Sequence, residues 1–396
     1  MLNGGAREPR KPRLLVIGPT PPPVHGVGVY VRMLLDAQEI QERWQVDHLD
    51  TSDRRSLANL GRVDVTNVAL GLKHFAQLLG RLRSGAVDVV WIPVSQNAPA
   101  YLRDALFICT AHVSGARVVV HLHGAGFRTF YERASAPMRW VVRASSARVA
   151  RAWVLGEGLR ATYDGLIPPE RVRVVPNGVA EPVRSGFYRA ADGGPTLLHL
   201  GQLSVEKGVV DLLEAAARVA RERPGLRVVL AGPWLSAADE RSVRAAIDRL
   251  GLADRVQLTG PVAGPEKAAL FARADVFVLA TRYAYEGQPL AVLEAMAAGL
   301  PVVATPRGTL PETLAGGAGV IVPEGEPVAL AAALRDLAGD PARRARIGAA
   351  GRARWAAGFT AERAMETVAR ALEELRPQER GAAAPERILD RAPVRP

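Results

Sequence analysis

The sequence predicts an α/β protein of two doubly wound, Rossmann-like domains facing each other across a cleft. Three observations predict it. The chain has 396 residues, beyond the size at which one core usually stops growing, so two domains of roughly 200 residues each are expected. Short apolar runs alternate with amphipathic helical stretches along the whole chain, which is the pattern of βαβ units. Most of those runs are apolar throughout rather than alternating, as parallel strands covered on both faces are.

The elements follow in order. Residues 1–12 are polar and basic and are expected to be flexible; they pass straight into "LLVIG" with no longer apolar segment and cleavage site, so no secretory signal is expected. The first domain, 13–180, has strand candidates in "RLLVIGP" (13–19), "VDVVWIPVS" (87–95), "ARVVVHLHG" (116–124), "RAWVLGEG" (151–158) and "RVRVVPNG" (171–178). A Gly- and Pro-rich stretch without period, centred on 181–195, is the expected linker. The second domain, 196–360, repeats the pattern with "TLLHLG", "LRVVLAGP", "RVQLTG", "ADVFVLAT", "PVVAT" and "GVIVPEG". A helical pattern over 361–376 and a flexible tail over 377–396 complete the chain. Such folds bind ligands at the carboxyl ends of their strands, so the cleft between the domains is the expected site.

Composition narrows the class. No apolar run reaches the ~18 residues of a membrane span, and the single cysteine, Cys109, sits in the apolar helical pattern "YLRDALFICTAHV" and reads as a core thiol. A reducing cytoplasm is the expected compartment. The net charge of +11 is uneven: residues 1–180 carry 23 Lys+Arg against 14 Asp+Glu, and the remainder 28 against 26. An anionic membrane surface or an anionic substrate would suit the basic half, and no nucleic-acid partner is expected. Nearly all the bases are arginine, so coding bias accounts for part of the excess; the lysines are Lys11, Lys73, Lys207 and Lys267. In "LKHFAQLLGRLR", Leu72, Phe75, Leu79 and Leu82 share a helical face beside Lys73, Arg81 and Arg83. That face either packs on the first-domain sheet or lies on an anionic membrane, the inner face of the cell membrane.

The chemistry-bearing residues fall at strand ends. "HLGQLSVEKGVVDLLEAAARVA" runs from a strand through a polar turn into a helix. Lys207 lies at or beside the first helical turn, where the helix dipole disfavours a cation unless an anion is bound there too. In "YEGQPLAVLEAMAAGLPVVAT", Pro289 suits a first helical position and Gly299 an end, predicting a helix over 289–298. Glu286 then lies in the turn before the helix, and Glu294 well inside it. At 1.5 Å per residue Glu294 stands about 8 Å along the axis from the helix start, so the two carboxylates, at different levels and on different faces, do not form the close pair, ~5 Å apart, of a retaining glycosidase. Their layout suits one extended ligand with an anionic middle and hydroxyl groups at either end, as in a sugar nucleotide. In the first domain, "GPTPPPVHGVGVYVRMLL" enters a helix through Gly26 and Gly28, a glycine loop that lets backbone approach a ligand. "HLHGAGF" puts His121 and His123 on one face, and with no ligand partner at suitable spacing no metal is expected.

Taken together these stretches resemble the family 4 glycosyltransferases of GT-B fold, over about residues 13–370. "YEGQPLAVLEAMAAGLPVVAT" is similar to the family's E-x7-E segment, "GQLSVEKG" to its G-R-L-x-x-x-K-G turn, "VVPNGV" to the sequence ahead of its linker and "HLHGAGF" to its first-domain histidine segment. The resemblance implies that Glu294 binds the ribose hydroxyls and Glu286 the transferred sugar. It implies that Gly287, Gln288 and Leu290 offer backbone N–H groups near the diphosphate and sugar, and that Lys207 neutralises the leaving diphosphate. The Gly26 amide would lie near the phosphates, His123 near the reacting sugar, and the C-terminal helix would cross back to the first domain. One departure matters: Gln202 stands where the family usually has arginine, so the charge would rest on Lys207, with Arg282 the nearest arginine to stand in.

The implied activity is retaining transfer of a sugar from a nucleoside diphosphate sugar to a hydroxyl of a glycan or lipid-linked acceptor, in polysaccharide, glycolipid or other glycoconjugate synthesis. No bound cofactor is expected. A GT-B phosphorylase, a nucleotide-sugar epimerase and a non-catalytic sugar-nucleotide or glycan-binding subunit are the alternatives.

Overall fold

A computed structural model describes residues 10–54, 65–83, 85–182 and 194–377. Most of the expected N-terminal arm, linker and tail therefore lies outside the described residues.

The first domain runs β1 (Arg13–Gly18), α1 (Gly26–Asp36), α2 (Gln38–Arg43), β2 (Gln45–Asp50), α3 (Val65–Leu82), β3 (Val89–Pro93) and α4 (Ala98–Val113). It continues with β4 (Arg117–Leu122), α5 (Phe127–Arg133), α6 (Ala136–Ser146), β5 (Val149–Val154) and β6 (Val172–Val174). These six strands form one parallel sheet in the order β2-β1-β3-β4-β5-β6. The second domain runs β7 (Thr196–Leu200), α7 (Val209–Ala220), β8 (Arg227–Ala231), α8 (Ala237–Arg249), β9 (Val256–Gly260), α9 (Gly264–Arg273) and β10 (Val276–Leu279). It ends with α10 (Leu290–Ala297), β11 (Val302–Ala304), α11 (Leu310–Thr313), β12 (Gly319–Ile321), α12 (Pro327–Gly339), α13 (Pro341–Gly358) and α14 (Ala361–Glu373). Its parallel sheet has the order β12-β11-β10-β7-β8-β9. The expected pair of doubly wound sheets is present.

Each sheet is apolar on both faces because each face meets helices. In β1, Leu15 and Ile17 join the core under α3, α4 and α6, while Leu14 and Val16 face a second core containing Tyr30, Leu34 and Trp44. The helix α14 closes that second core with Met365, Val368 and Leu372, packing on α1 and α2 of the first domain. One strand was not expected from the sequence. β2, "QVDHLD", pairs only with β1 at the sheet edge, and only Leu49 is fully buried. A half-covered edge strand needs no continuous apolar run, so it lacks the signal that revealed the others.

The carboxyl ends of β1, β4, β7 and β10 lead respectively to the Gly26 loop, His123, the Gln202–Lys207 turn and the Glu286 turn. The topology thus places the singled-out residues on facing strand ends.

Candidate functional site

α10 begins one residue later than expected. Pro289 is its cap, with extended backbone (φ −65°, ψ 123°), and Gly299 follows its end at φ +70°, a left-handed value that glycine adopts without strain. Val292, Leu293, Ala295, Met296 and Ala297 are buried on this eight-residue helix. Glu294, nearly surrounded by them, has 15% of its side chain exposed and meets Lys267 of α9, whose Nζ lies 2.6 Å from Glu294 Oε1. Before the helix, Glu286 is buried, with its Oε2 accepting from Lys207 Nζ at 2.7 Å. The Lys207 ammonium also lies over the Tyr283 ring, 4.6 Å from its centroid. Lys207 itself is two residues before α7, whose cap Gly208 has φ +75° and whose Cα faces the Ala280 carbonyl too closely for any Cβ.

Each carboxylate of the E-x7-E segment is therefore held by a lysine. The pairing of Lys207 follows from two turns meeting at adjacent strand ends, β7 and β10. Lys267 was missed by the sequence reading. Its signal was compositional: two of only four lysines in an arginine-rich chain lie on the two glutamates of one segment.

The first domain supplies the opposite wall. The Asn177 amide donates to Gln288 Oε1 at 2.7 Å and Asn177 Nδ2 to the Gln288 carbonyl at 2.9 Å, so both ends of the Asn177 backbone-side-chain unit clamp the turn before α10. The segment Tyr285–Gly287 lies directly on residues 123–126. A Cβ on Gly287 would come within 2.3 Å of the His123 carbonyl oxygen, and one on Gly126 within 2.2 Å of the Tyr285 ring. Glycine on both sides allows this approach. Among the described residues, the amides of Gly287, Gln288 and Leu290 donate to no protein group, leaving three N–H groups around the helix start. The Gly26 amide begins α1, capped by His25, whose Nδ1 accepts from Gly28.

His123 stands beside Tyr30, Trp91 and His121, with ring centroids 4.6, 6.1 and 4.1 Å away, and its Nε2 is buried without a partner. Burial pushes its pKa down to about 3, against the opposing pull of Asn177. His123 is therefore neutral at physiological pH: it can donate or accept a hydrogen bond, but its conjugate acid is too strong for it to be an effective general base. His121 is held to the Val175 carbonyl at 3.2 Å and is neutral for the same reason. Among the described residues no three His, Cys, Asp or Glu side chains converge as a metal-binding group.

Between the walls lies a cavity of about 1100 Å³. Gly26, His123, Glu286, Gly287, Gln288 and Leu290 all line it; Lys207 does not, and sits behind the wall residues Glu286 and Tyr283 that it contacts. Gln202, Lys267 and Glu294 lie outside it. Arg282 turns to Asp211 of α7, 3.3 Å away, so its charge is already engaged and Lys207 is the cation nearest the Glu286 turn. The cavity extends under the first-domain sheet to His74, Phe107, Leu102 and Val68, so it has a polar end at the α10 turn and a more apolar one between α3 and α4.

The chain is similar to known proteins in sequence and in fold. The family described as Glycosyl transferases group 1 matches residues 185–354. The chain is 32% identical over 225 residues to the GDP-mannose:cellobiosyl-diphosphopolyprenol alpha-mannosyltransferase of Xanthomonas campestris, a match spanning 56% of each chain and so little more than half of that relative. It is 32% identical over 291 residues to the GDP-mannose-dependent alpha-(1-6)-phosphatidylinositol monomannoside mannosyltransferase of Mycolicibacterium smegmatis, covering 68% of this chain and 72% of that one. In structure it resembles the Anabaena protein Alr3699/HepE solved in complex with UDP, with a TM-score of 0.70 at 18% identity, covering 91% of this chain and 100% of that one.

Proposed function

The chain belongs to the glycosyl transferases group 1 family, the family 4 glycosyltransferases of GT-B fold, and we propose that it transfers a sugar from a nucleoside diphosphate sugar to an acceptor hydroxyl with retention of configuration. The observation that carries this reading is the Glu286–Lys207 pair set at the cavity wall beside three undonated amides at the start of α10. A diphosphate placed there meets a helix N-terminus and one ammonium group. Lys207 then stabilises the charge that develops as the sugar–phosphate bond breaks, a role in which preorganised charge acts most strongly.

In this reading Glu294 accepts from the ribose hydroxyls and Glu286 from the transferred sugar. Gly26 approaches the phosphates, and His123, neutral, offers a hydrogen bond to the sugar. Because His123, the histidine beside the Glu286 turn, is too weak a base, the departing phosphate oxygen is taken as the acceptor for the proton of the attacking hydroxyl. The bond from C1 to the acceptor oxygen forms on the face that the phosphate leaves, and the proton passes to the phosphate. Gln202 adds a hydrogen-bond donor without charge, so more of the leaving group's stabilisation falls on Lys207.

The acceptor occupies the first-domain end of the cavity. Two relatives are named for acceptors on diphosphopolyprenol and phosphatidylinositol, which supports a lipid-linked glycan acceptor in glycoconjugate synthesis. Their shared donor puts GDP-mannose first in a panel of GDP-, UDP- and dTDP-sugars. A bound donor raises the melting temperature by mass action. The reading expects one nucleotide class to do so in the wild-type protein and to fail in Glu294→Ala; a flat response across the panel would count against it.

A further inference from the structure

Three helices, α3, α4 and α6, lie side by side on one face of the first-domain sheet, with their inner residues Leu78, Leu82, Ile108 and Val142 in its core. Their outer faces are unlike the rest of the surface. Among the described residues, thirteen large apolar side chains are exposed, and seven belong to these three helices. On α3 they are Val68, Leu72 and Leu79; on α4, Leu102, Leu106 and Val113. Both sets recur at i, i+4 and i+11, which puts each in a single stripe along its helix. Trp140 of α6, 70% exposed, stands beside them.

Charge on the same face has one sign. α3 and α6 contain no aspartate or glutamate, and the only acid of α4, Asp104, is 1% exposed and tied to Arg103 and to the Ser95 amide. Lys73 and Arg103 follow the stripe residues Leu72 and Leu102 in the chain, and Arg139 and Arg143 stand on either side of Trp140 in α6, Arg143 donating to Tyr131 of α5. Elsewhere α2, α8 and α14 carry acids among their bases, and α13, which has bases without acids, exposes no large apolar side chain among the described residues.

We propose that the outer face of α3, α4 and α6 docks on an anionic lipid bilayer. Aliphatic stripes between bases, with an indole at the margin, match the boundary between acyl chains and headgroups. Bases without competing acids match its negative surface potential. A nucleic acid would use the bases but gain nothing from Val68, Leu72, Leu106 or Val113. The sequence put Leu72, Phe75, Leu79 and Leu82 on one face of α3; the structure divides that face, with Leu82 and Phe75 packed on the sheet core and Leu72 and Leu79 exposed at its outer edge.

The site and the face are continuous. Val68 and Leu102 belong to the exposed stripes and also line the cavity, with Leu70 and Gly71 of α3 and Pro99 of α4 between them. The apolar end of the cavity therefore opens toward the docked bilayer, so an acceptor head could enter while its lipid stays in the membrane. This last step rests on reading the cavity as the acceptor pocket; the docking face does not.

Vesicle binding tests the face without any catalysis. At low salt the full chain is expected to sediment with vesicles of mixed phosphatidylcholine and phosphatidylglycerol, to release as salt rises, and not to sediment with phosphatidylcholine alone. Trp44, Trp91, Trp153 and Trp355 are buried and Trp234 lies half-buried against Arg244 in the second domain, away from this face, so a blue shift of tryptophan emission on binding should come from Trp140 and vanish in Trp140→Phe. Leu72→Glu/Leu106→Glu should lose vesicle binding while keeping the wild-type melting temperature and donor binding. Absence of binding to anionic vesicles, or binding unaffected by the double substitution, overturns the proposal. So does a wild-type dimer that the double substitution makes monomeric, since a second copy would then cover the face.

Discussion

Lys267 Nζ lies 2.6 Å from Glu294 Oε1, with the two side chains 28% and 15% exposed. The pair fixes one carboxylate oxygen and leaves the other for a ligand. If Glu294 binds the ribose, Lys267→Met should raise the donor KM about 10-fold, roughly 1.4 kcal/mol of binding, with kcat almost unchanged. Glu294→Ala should do the same or more. Steady-state kinetics on the single and double variants should show strongly non-additive losses, because removing either partner already frees the carboxylate site. Additive losses would mean that the two residues act separately.

Lys207 answers for the other carboxylate. Lys207→Ala should lower kcat by about 10²–10³, the usual cost of losing one preorganised charge or donor at a developing anion, with a smaller change in donor KM. Removing it also leaves Glu286, which is 6% exposed, without its cation, so a fall in melting temperature should accompany the kinetic loss. An unchanged kcat would remove Lys207 from the mechanism.

The glycine seam between the domains predicts an order of severity. Gly287→Ala sets a methyl group 2.3 Å from the His123 carbonyl oxygen, which is backbone and cannot step aside. Gly126→Ala meets the Tyr285 ring, which can rotate away. Gly287→Ala should therefore abolish measurable transfer, whereas Gly126→Ala should reduce kcat/KM and recover partly when combined with Tyr285→Ala. Equal losses, or no recovery, would show that domain approach is not what the seam controls.

Much of the fold was legible because buried parallel strands write themselves as apolar runs. β2 escaped since an edge strand with one neighbour can be as polar as "QVDHLD". In the site, the E-x7-E spacing and its Pro and Gly brackets revealed α10 to within a residue, because capping chemistry is local. Lys267 was not legible: its partner is 27 residues away and meets it only through the packing of α9 on α10. Nor was the commitment of Arg282 to Asp211, which depends on how β10 lies beside β7. The clamp of Asn177 on Gln288 joins two domains and left no trace in either local pattern.

Histidines whose pKa is lowered by burial, His25 and His74 among them, predict how stability responds to acid, and three are shifted furthest. Burial lowers the pKa of His121 well below its ordinary value, that of His123 to about 3 and that of His199 to about 4. In the unfolded chain each titrates near 6.5. Their neutral burial therefore costs nothing above pH 6.5, and stability is lost as pH falls from about 6.5 toward 4, where only the unfolded chain takes up protons. Each histidine contributes at most about 1.4 kcal/mol per pH unit over that window. Melting temperatures should be level from pH 7 to 8 and drop steeply between pH 6 and 4.5; His199→Asn should flatten the drop. A pH-independent melting temperature over that range would contradict the neutral assignments.

The most direct test of the donor-site assignment is turnover of the preferred nucleoside diphosphate sugar, followed by release of the nucleoside diphosphate, in the wild-type protein and in Glu286→Ala and Lys207→Ala. The account predicts steady release in the wild type, accelerated by an acceptor, and a fall of at least about 10² in both variants, each of which still melts cooperatively. Equal turnover in all three proteins would contradict it and place the chemistry elsewhere.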